Sequence, residues 1–291
     1  MSSSYVLYHY DPSFAAAICF AIAFGISAAL HIWQAYQYGA RFMIAFIIGA
    51  ILECLGYVAR MINARQTPDY SVGPYALQSL LLLLAPALLA ASIYMILGRI
   101  IRFVDGEDRS PIQLGKLTKV FVTGDVLSFL IQSGGGAILS QAKSASKVHL
   151  GERIIIVGLF VQVIFFSAFI IVSILFHRNI HNNPTSKSIS SSSSSSSSSA
   201  FLKNVAGIPG WLLCLFILYA TSSLIMIRSI YRVVEYIQGT DGFLQSHEVF
   251  LYIFDAVLML LVCAGLSLRH PGVLLEESEG FEEVEMGMRM R

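Results

Sequence analysis

The stretch YALQSLLLLLAPALLAASIYMIL, residues 75–97, decides the fold of this chain. It contains no charged side chain, and an α-helix of this length crosses a hydrocarbon core of about 30 Å. The whole chain has the same character, because 56% of its 291 residues are hydrophobic and 13% are charged. A soluble domain has about 25% charged residues. The composition therefore predicts a membrane protein.

Seven stretches of the sequence are long enough to span a bilayer. They predict an all-α fold, a polytopic bundle of seven transmembrane helices. The predicted spans are 14–33, 42–62, 75–97, 120–141, 154–176, 211–230 and 249–268. The fourth is the least apolar, since it contains Asp125, Gln132 and three consecutive glycines. We expect its neighbours to hold it inside the bundle.

Lysine and arginine are distributed unevenly between the two sides of the predicted bundle. With the N-terminus outside, the inner segments hold twelve of the nineteen. Five of these lie in the loop after the third span: Arg99, Arg102, Arg109, Lys116 and Lys119. The positive-inside rule therefore predicts an extracellular N-terminus, residues 1–13, and a cytosolic C-terminus.

Two segments outside the predicted spans have a biased composition. The cytosolic loop 177–210 contains ten consecutive serines, Ser190–Ser199. Serine runs have no apolar face to bury, which predicts a flexible linker. The tail 269–291 is rich in glutamate, which predicts a solvated, acidic cytosolic segment.

Polar side chains inside the predicted spans are the candidate functional residues. Ionisable groups at membrane depth cost about 2.5–3.5 kcal/mol each on insertion scales, so they mark functional or interior-facing positions. Glu53, Tyr57 and Arg60 share one face of the second span, and Asp125 and Gln132 share one face of the fourth. The candidate binding or coupling residues are Glu53, Tyr57, Arg60, Asp125, Gln132, Gln162, Arg228 and Asp255.

The predicted orientation places Glu53 and Gln132 near the midplane and most of the other candidates in the outer half of the membrane. We predict a polar cavity open to the outer leaflet, in which Asp255 pairs with Arg60 or Arg228 and Glu53 is less compensated. The alternative is structural, with the arginines reaching the interface and the carboxylates bonding locally. Spans two, four and seven are expected to face inward, and spans three and five to meet lipid.

Motifs of common enzyme and receptor classes do not occur. The sequence has no P-loop, nucleophile elbow or His-Glu-x-x-His, so neither an enzyme nor a metal or other cofactor is predicted. The last span has no lysine for a retinal Schiff base and no Asn-Pro-x-x-Tyr, which disfavours an ordinary G-protein-coupled receptor. A net charge of +1 provides no field that would attract nucleic acid. The sequence predicts no particular oligomeric state.

Six segments together resemble the fungal lipid-translocating exporter (RTA-like) family, which includes 7-aminocholesterol-resistance proteins and a sphingoid long-chain-base exporter. They are YDPS (10–13), ECLGYVAR (53–60), LAPALLAASIY (84–94), DVLSFLIQSGG (125–135), RSIYRVVE (228–235) and HPG (270–272). Each is weak alone, but as a set they span the whole predicted membrane domain. The family has no catalytic motif to transfer.

The resemblance implies a seven-helix protein of the plasma membrane or an endomembrane that exports or flips amphiphilic lipids and confers resistance to them. Its partners would be membrane lipids or amphiphilic small molecules, such as sphingoid long-chain bases or sterol-like compounds. Glu53 and Asp255 suit a cationic amine, and a protonatable Glu53 would couple transport to protons. The alternative is a heptahelical lipid-sensing receptor or regulator of lipid asymmetry, and the diversity of the family adds porphyrin or drug uptake.

Overall fold

The regular secondary structure of the described residues is helical. The computed structural model describes residues 10–66, 69–142, 144–193, 210–239, 242–268 and 272. The helices are α1 (Phe14–Gln37), α2 (Ile44–Ala64), α3 (Val72–Phe103), α4 (Leu114–Ser140), α5 (Ala145–Asn182), α6 (Ser186–Ser193), α7 (Gly210–Gln238) and α8 (Glu248–Leu268). Within α8, the segment Tyr252–Val257 is π-helical.

Six helices of the described chain are long and apolar enough to cross a membrane: α1, α2, α3, α5, α7 and α8. The prediction of an all-α, multi-pass membrane protein is therefore confirmed. The helix α4 is not among the six, although its 27 residues give about 40 Å of helix. It carries Asp125 and Gln132. A seventh crossing and the side on which the N-terminus lies stay predictions.

Local signals fix both ends of α1. The Ser13 hydroxyl accepts a hydrogen bond from the backbone N–H of Ala16 at 3.3 Å, which caps the first turn. At the other end Gly39 adopts a positive φ of 60°, and the Ala40 N–H donates to the Ala35 carbonyl at 3.0 Å. This glycine-based cap ends the helix and turns the chain directly toward α2.

Aromatic contacts show which helix ends lie together. Phe20 near the start of α1 packs on Tyr57 near the end of α2 and on Tyr252 near the start of α8, with ring centroids 5.5 and 5.1 Å apart. Arg228, toward the end of α7, reaches the Leu82 carbonyl near the start of α3. We call this end of the bundle, where α1, α3 and α8 begin and α2 and α7 end, the N-terminal end.

The helix α3 lies at the centre, and the prediction that it meets lipid over much of its surface was wrong. Of its most apolar 18 residues, 61% are buried, against 33–44% in the other five apolar helices. It contacts α2, α4 and α7. In a membrane an apolar surface suits lipid and protein neighbours equally, so the leucine-rich sequence did not reveal its partners. The corresponding figure is 33% for α5, as expected for a helix that meets lipid, but it is also 33% for α8, which was expected to face inward.

Glycines bring α4 and α5 close together. A methyl group added at Gly135 would lie 2.8 Å from the carbonyl oxygen of Gly151, and one at Gly158 would lie 3.0 Å from that of Ser128. The expected close approach of a neighbouring helix at the glycine run is confirmed for Gly135, whereas Gly134 faces open space. This contact holds α4 against the apolar helix α5.

The predicted loop 177–210 begins with helix. The 38 residues of α5 measure about 57 Å, which exceeds the hydrocarbon thickness, so the helix continues to Asn182. The helix α6 then includes the first four serines of the predicted linker. Residues 194–209 and the acidic tail, apart from 272, lie outside the described residues.

Candidate functional site

All eight residues singled out from the sequence are buried, and the structure divides them into two groups. The charged cluster, at the N-terminal end of the bundle, contains Glu53, Tyr57, Arg60, Arg228 and Asp255. The amide cluster, between α3, α4 and α5, contains Asp125, Gln132 and Gln162. The eight therefore do not converge on one cavity.

The pair Arg228–Asp255 forms the deepest ion pair of the charged cluster. The guanidinium Nε donates to Asp255 Oδ1, and Nη2 donates to the Leu82 carbonyl of α3 at 2.8 Å. Each side chain is 4% exposed. Of the two pairings predicted for Asp255, the structure therefore has the one with Arg228. Asp255 lies in the π-helical segment, an irregularity that is frequent at functional sites.

Arg60 forms a second ion pair and ties the N-terminal segment to α8. Its Nη2 lies 2.7 Å from Glu248 Oε1 and donates to the Tyr10 hydroxyl at 2.8 Å, while Nε donates to the Tyr252 hydroxyl at 3.1 Å. Glu248 also accepts from the Ser13 N–H at 2.9 Å. Burial raises the pKa of the Tyr10 phenol. These contacts fasten the segment before α1 across the top of the cluster.

The sequence prediction missed Glu248, because the seventh span was taken to begin one residue later. The missing signal was a repeated spacing. Glu248, Tyr252 and Asp255 stand at i, i+4 and i+7, as do the glutamate, tyrosine and arginine of residues 53–60. Two stripes of the same geometry face each other across the cluster, and matching them would have found this carboxylate.

The charged cluster also includes Glu248 and a third ion pair, which joins Arg232 and Glu235 at 2.8 Å. It then holds four carboxyl groups and three guanidinium groups, and Glu53 is the carboxyl group without an ion-pair partner among the described residues. Glu53 is 2% exposed, and its Oε1 accepts no hydrogen bond from any described residue. The hydroxyl of Tyr57, one turn further along α2, is likewise without a partner within the described chain. A buried polar group in this state costs free energy that a ligand or a proton would recover.

A cleft leads into the cluster from the N-terminal end of the bundle. The centres of water-sized molecules can occupy about 70 Å³ of it. Its walls include four α3 side chains at helical spacing and four charged groups: Tyr75, Gln78, Ser79, Leu82, Arg60, Arg232, Glu235 and Asp255. The cleft reaches Asp255, while Glu53 and Tyr57 are not part of its lining. The carboxyl group of Glu53 is therefore near the charge of Asp255 but closed off from the cleft.

The amide cluster is a set of bonds between neighbouring helices. Gln132 donates to Gln162 Oε1 at 3.3 Å, and the Tyr94 hydroxyl donates to Asp125 Oδ2 at 2.9 Å. None of these four side chains lines the cleft. The geometry agrees with the structural alternative for these residues, in which polar groups join helices within the membrane.

A bundle of apolar helices that buries charged side chains at one end is an integral, multi-pass membrane protein. The sequence profile of the RTA1 like protein family matches residues 46–278. The chain belongs to this family, which confirms the resemblance seen in the sequence. Arg60, Arg228, Glu248 and Asp255 all lie within the matched region.

Some of the relatives carry names that refer to transport or uptake. Protoporphyrin uptake protein 1 of Saccharomyces cerevisiae is 36% identical, over 91% of this chain and 92% of that protein. Protein RTA1 of the same species is 34% identical, over 88% and 82%. Sphingoid long-chain base transporter RSB1, also of Saccharomyces cerevisiae, is 26% identical, over 86% and 69%. No solved structure matches the chain.

Proposed function

We propose that this protein moves amphiphilic lipids with a cationic head group, such as sphingoid long-chain bases, across a membrane and so confers resistance to them. The observation that carries the proposal is the buried carboxyl group of Glu53, which has no partner among the described residues and interacts electrostatically with both members of the Arg228–Asp255 ion pair. With three guanidinium and four carboxyl groups in the cluster, an added amine would complete the charge balance. The name of the relative RSB1 supports this class of substrate.

The path of the head group follows from the arrangement of the cleft. An amine that enters it first meets Asp255, where it competes with Arg228 for the carboxylate. Displacement of Arg228 opens the way to Glu53, which binds the amine or takes up a proton in exchange. The hydrocarbon chain of the substrate stays in the apolar surroundings of the helices throughout.

The proposal includes the predicted topology. Seven helices with the N-terminus outside place the cleft on the outer side of the membrane, where an exported lipid would leave. We propose the plasma membrane as the location, since resistance to an added amphiphile requires export at the cell surface. The excess of basic residues in the loop between α3 and α4 supports this orientation.

Porphyrin uptake is the second candidate, favoured by the 36% identical protoporphyrin uptake protein and by two arginines in the cleft wall. Arg60 and Arg232 would suit the carboxylates of a porphyrin. Both are already paired with Glu248 and Glu235, however, and a dianion would add to the excess of negative charge. The charged cluster therefore favours a cationic substrate, such as a sphingoid base, over an anionic porphyrin.

Growth of a yeast host on an added sphingoid base tests the proposal. Glu53→Gln should reduce resistance to that of cells without the protein, at unchanged surface abundance, because it removes the charge while keeping the shape. Glu107→Gln is the matched control, since Glu107 is exposed at the opposite end of the bundle, and it should keep full resistance. Full resistance in Glu53→Gln would contradict the site. Growth that depends on added protoporphyrin would identify the second candidate.

The receptor alternative predicts a different pattern. A receptor would act through its Ser-rich loop and acidic tail, so deletion of Ser190–Ser199 and 273–291 would abolish resistance. A transporter should keep its resistance after both deletions, because every residue assigned to the charged cluster remains in the shortened chain. Lost resistance together with no lipid movement by the purified protein would favour the receptor.

A further inference from the structure

A second polar site lies in a groove between α5 and α7, in the half of the bundle away from the charged cluster. The centres of water-sized molecules can occupy about 340 Å³ of the groove, which is open along one side. Its lining combines apolar and polar side chains: Ile170, Ile174, His177, Arg178, Tyr219, Ser222 and Ser223. Its isoleucines and its polar side chains together make the groove amphipathic, like a lipid.

The hydroxyl of Ser222 is the clearest sign of a missing ligand. Serine in a helix usually donates to the carbonyl four residues earlier, as Ser173, Ser223 and Ser229 do here. Ser222 is 1% exposed, and its hydroxyl has no hydrogen-bond partner among the described residues. The carbonyl it would use, that of Leu218, already accepts from another side chain. The buried hydroxyl is therefore available to a molecule in the groove.

The imidazole of His177 also has one nitrogen available. The Tyr219 hydroxyl donates its proton to the Ser173 carbonyl at 3.1 Å, so at the 3.3 Å contact with His177 it acts as acceptor. His177 Nδ1 is then the protonated nitrogen, and Nε2 makes no hydrogen bond to a described residue. Next to it, Arg178 is exposed and forms no salt bridge within the described part of the chain.

We propose that this groove binds a glycerophospholipid with an anionic head group. Arg178 contacts the phosphate, His177 Nε2 and Ser222 bond the polar atoms below it, and the acyl chain lies along Ile170 and Ile174. The positive charge of Arg178, which lines the groove, attracts the net negative charge of an anionic lipid. A zwitterionic lipid has no net charge and should therefore bind less tightly. The site is separate from the charged cluster and does not depend on the proposed function.

Native mass spectrometry of the purified full chain tests this site, with dioleoyl phosphatidylserine or dioleoyl phosphatidylcholine added in steps. Phosphatidylserine should bind more tightly, and Arg178→Gln should weaken it about tenfold, the loss expected for one charge-assisted hydrogen bond. Ser222→Ala should weaken binding as well, while the unfolding temperature without lipid stays that of the parent. Arg102→Gln, which removes an exposed arginine at the same end of the bundle, should bind as the parent does.

Three results would overturn the proposal. Phosphatidylserine could bind Arg178→Gln and Ser222→Ala as tightly as the parent. Arg102→Gln could lose as much binding as Arg178→Gln, which would show general attraction to a basic surface. Millimolar inorganic phosphate could displace the lipid fully, which would show a site for free phosphate instead.

Discussion

The ion pair Arg228–Asp255 gives the most quantitative prediction. Asp255→Asn removes the charge that is bonded directly to the buried guanidinium group of Arg228, which keeps its hydrogen bond to the Leu82 carbonyl. Removal of one member of a buried ion pair costs about 3–5 kcal/mol, because the remaining charge is uncompensated. The single variant should therefore lose a large part of the stability of the folded protein.

The double variant Arg228→Met/Asp255→Leu separates stability from function. Replacing a buried ion pair with apolar side chains of similar size is often neutral, or it stabilises the folded protein by about 1–4 kcal/mol. The double variant should thus recover most of the stability that Asp255→Asn loses. It should not recover resistance to a sphingoid base, because the carboxylate that meets the amine is absent.

The cysteines of the chain provide the assay. Cys214 and Cys263 are at most 1% exposed, so a thiol-reactive dye labels them only when the purified protein unfolds. Cys19 is exposed and gives a constant background. Asp255→Asn should label at a clearly lower temperature than the parent and the double variant. A single variant as stable as the parent, or a double variant as unstable as the single one, would refute the reasoning.

Three further predictions use the same unfolding assay. Gly135→Ala should lower stability by about 1–3 kcal/mol through overpacking against α5, while Gly134→Ala, in open space, should not; equal effects would refute the close contact. Glu248→Gln should lower the free energy of unfolding by about 1.5–3 kcal/mol, because it weakens the charged hydrogen bonds to Arg60. Unchanged stability would show that these bonds contribute little. Burial raises the pKa of the Tyr10 phenol above its ordinary value of 10.0. The contribution of the neutral phenol to stability is therefore present below pH 10 and is lost as the pH rises through the raised pKa. Tyr10→Phe should therefore lose less stability than the parent between pH 9 and 11, and an identical pH dependence would contradict this.

Hydropathy predicted the long helices, because the cost of exposed backbone in lipid leaves few alternatives. Hydropathy could not predict which of these helices are buried in the bundle and which face lipid. The leucine-rich stretch 75–97 looked suited to lipid but forms the central helix, since apolar side chains suit both surroundings. Gly135, in the glycine run that follows Gln132, was more informative, because its lack of a side chain allows the close approach of α5.

Charge and spacing predicted much of the site. Asp255 was expected to pair with Arg60 or Arg228 because the predicted orientation placed all three in the outer half of the membrane. The contact of Arg60 with Glu248 was missed, since a carboxylate at the end of a loop looks solvated until the fold brings it to a partner. The separation of Gln132 and Gln162 from the charged cluster was also hidden, because equal depth in the membrane does not mean the same side of a bundle.

Movement of a sphingoid base by the purified protein in vesicles tests the central claim most directly. A labelled base is placed in one leaflet, and its appearance in the other is followed for the parent protein, Glu53→Gln and the control Glu107→Gln. We predict that the parent and the control accelerate transfer over empty vesicles, and that Glu53→Gln does not. Transfer by the parent that is no faster than in empty vesicles, or equal transfer by Glu53→Gln, would contradict the proposed role of the charged cluster.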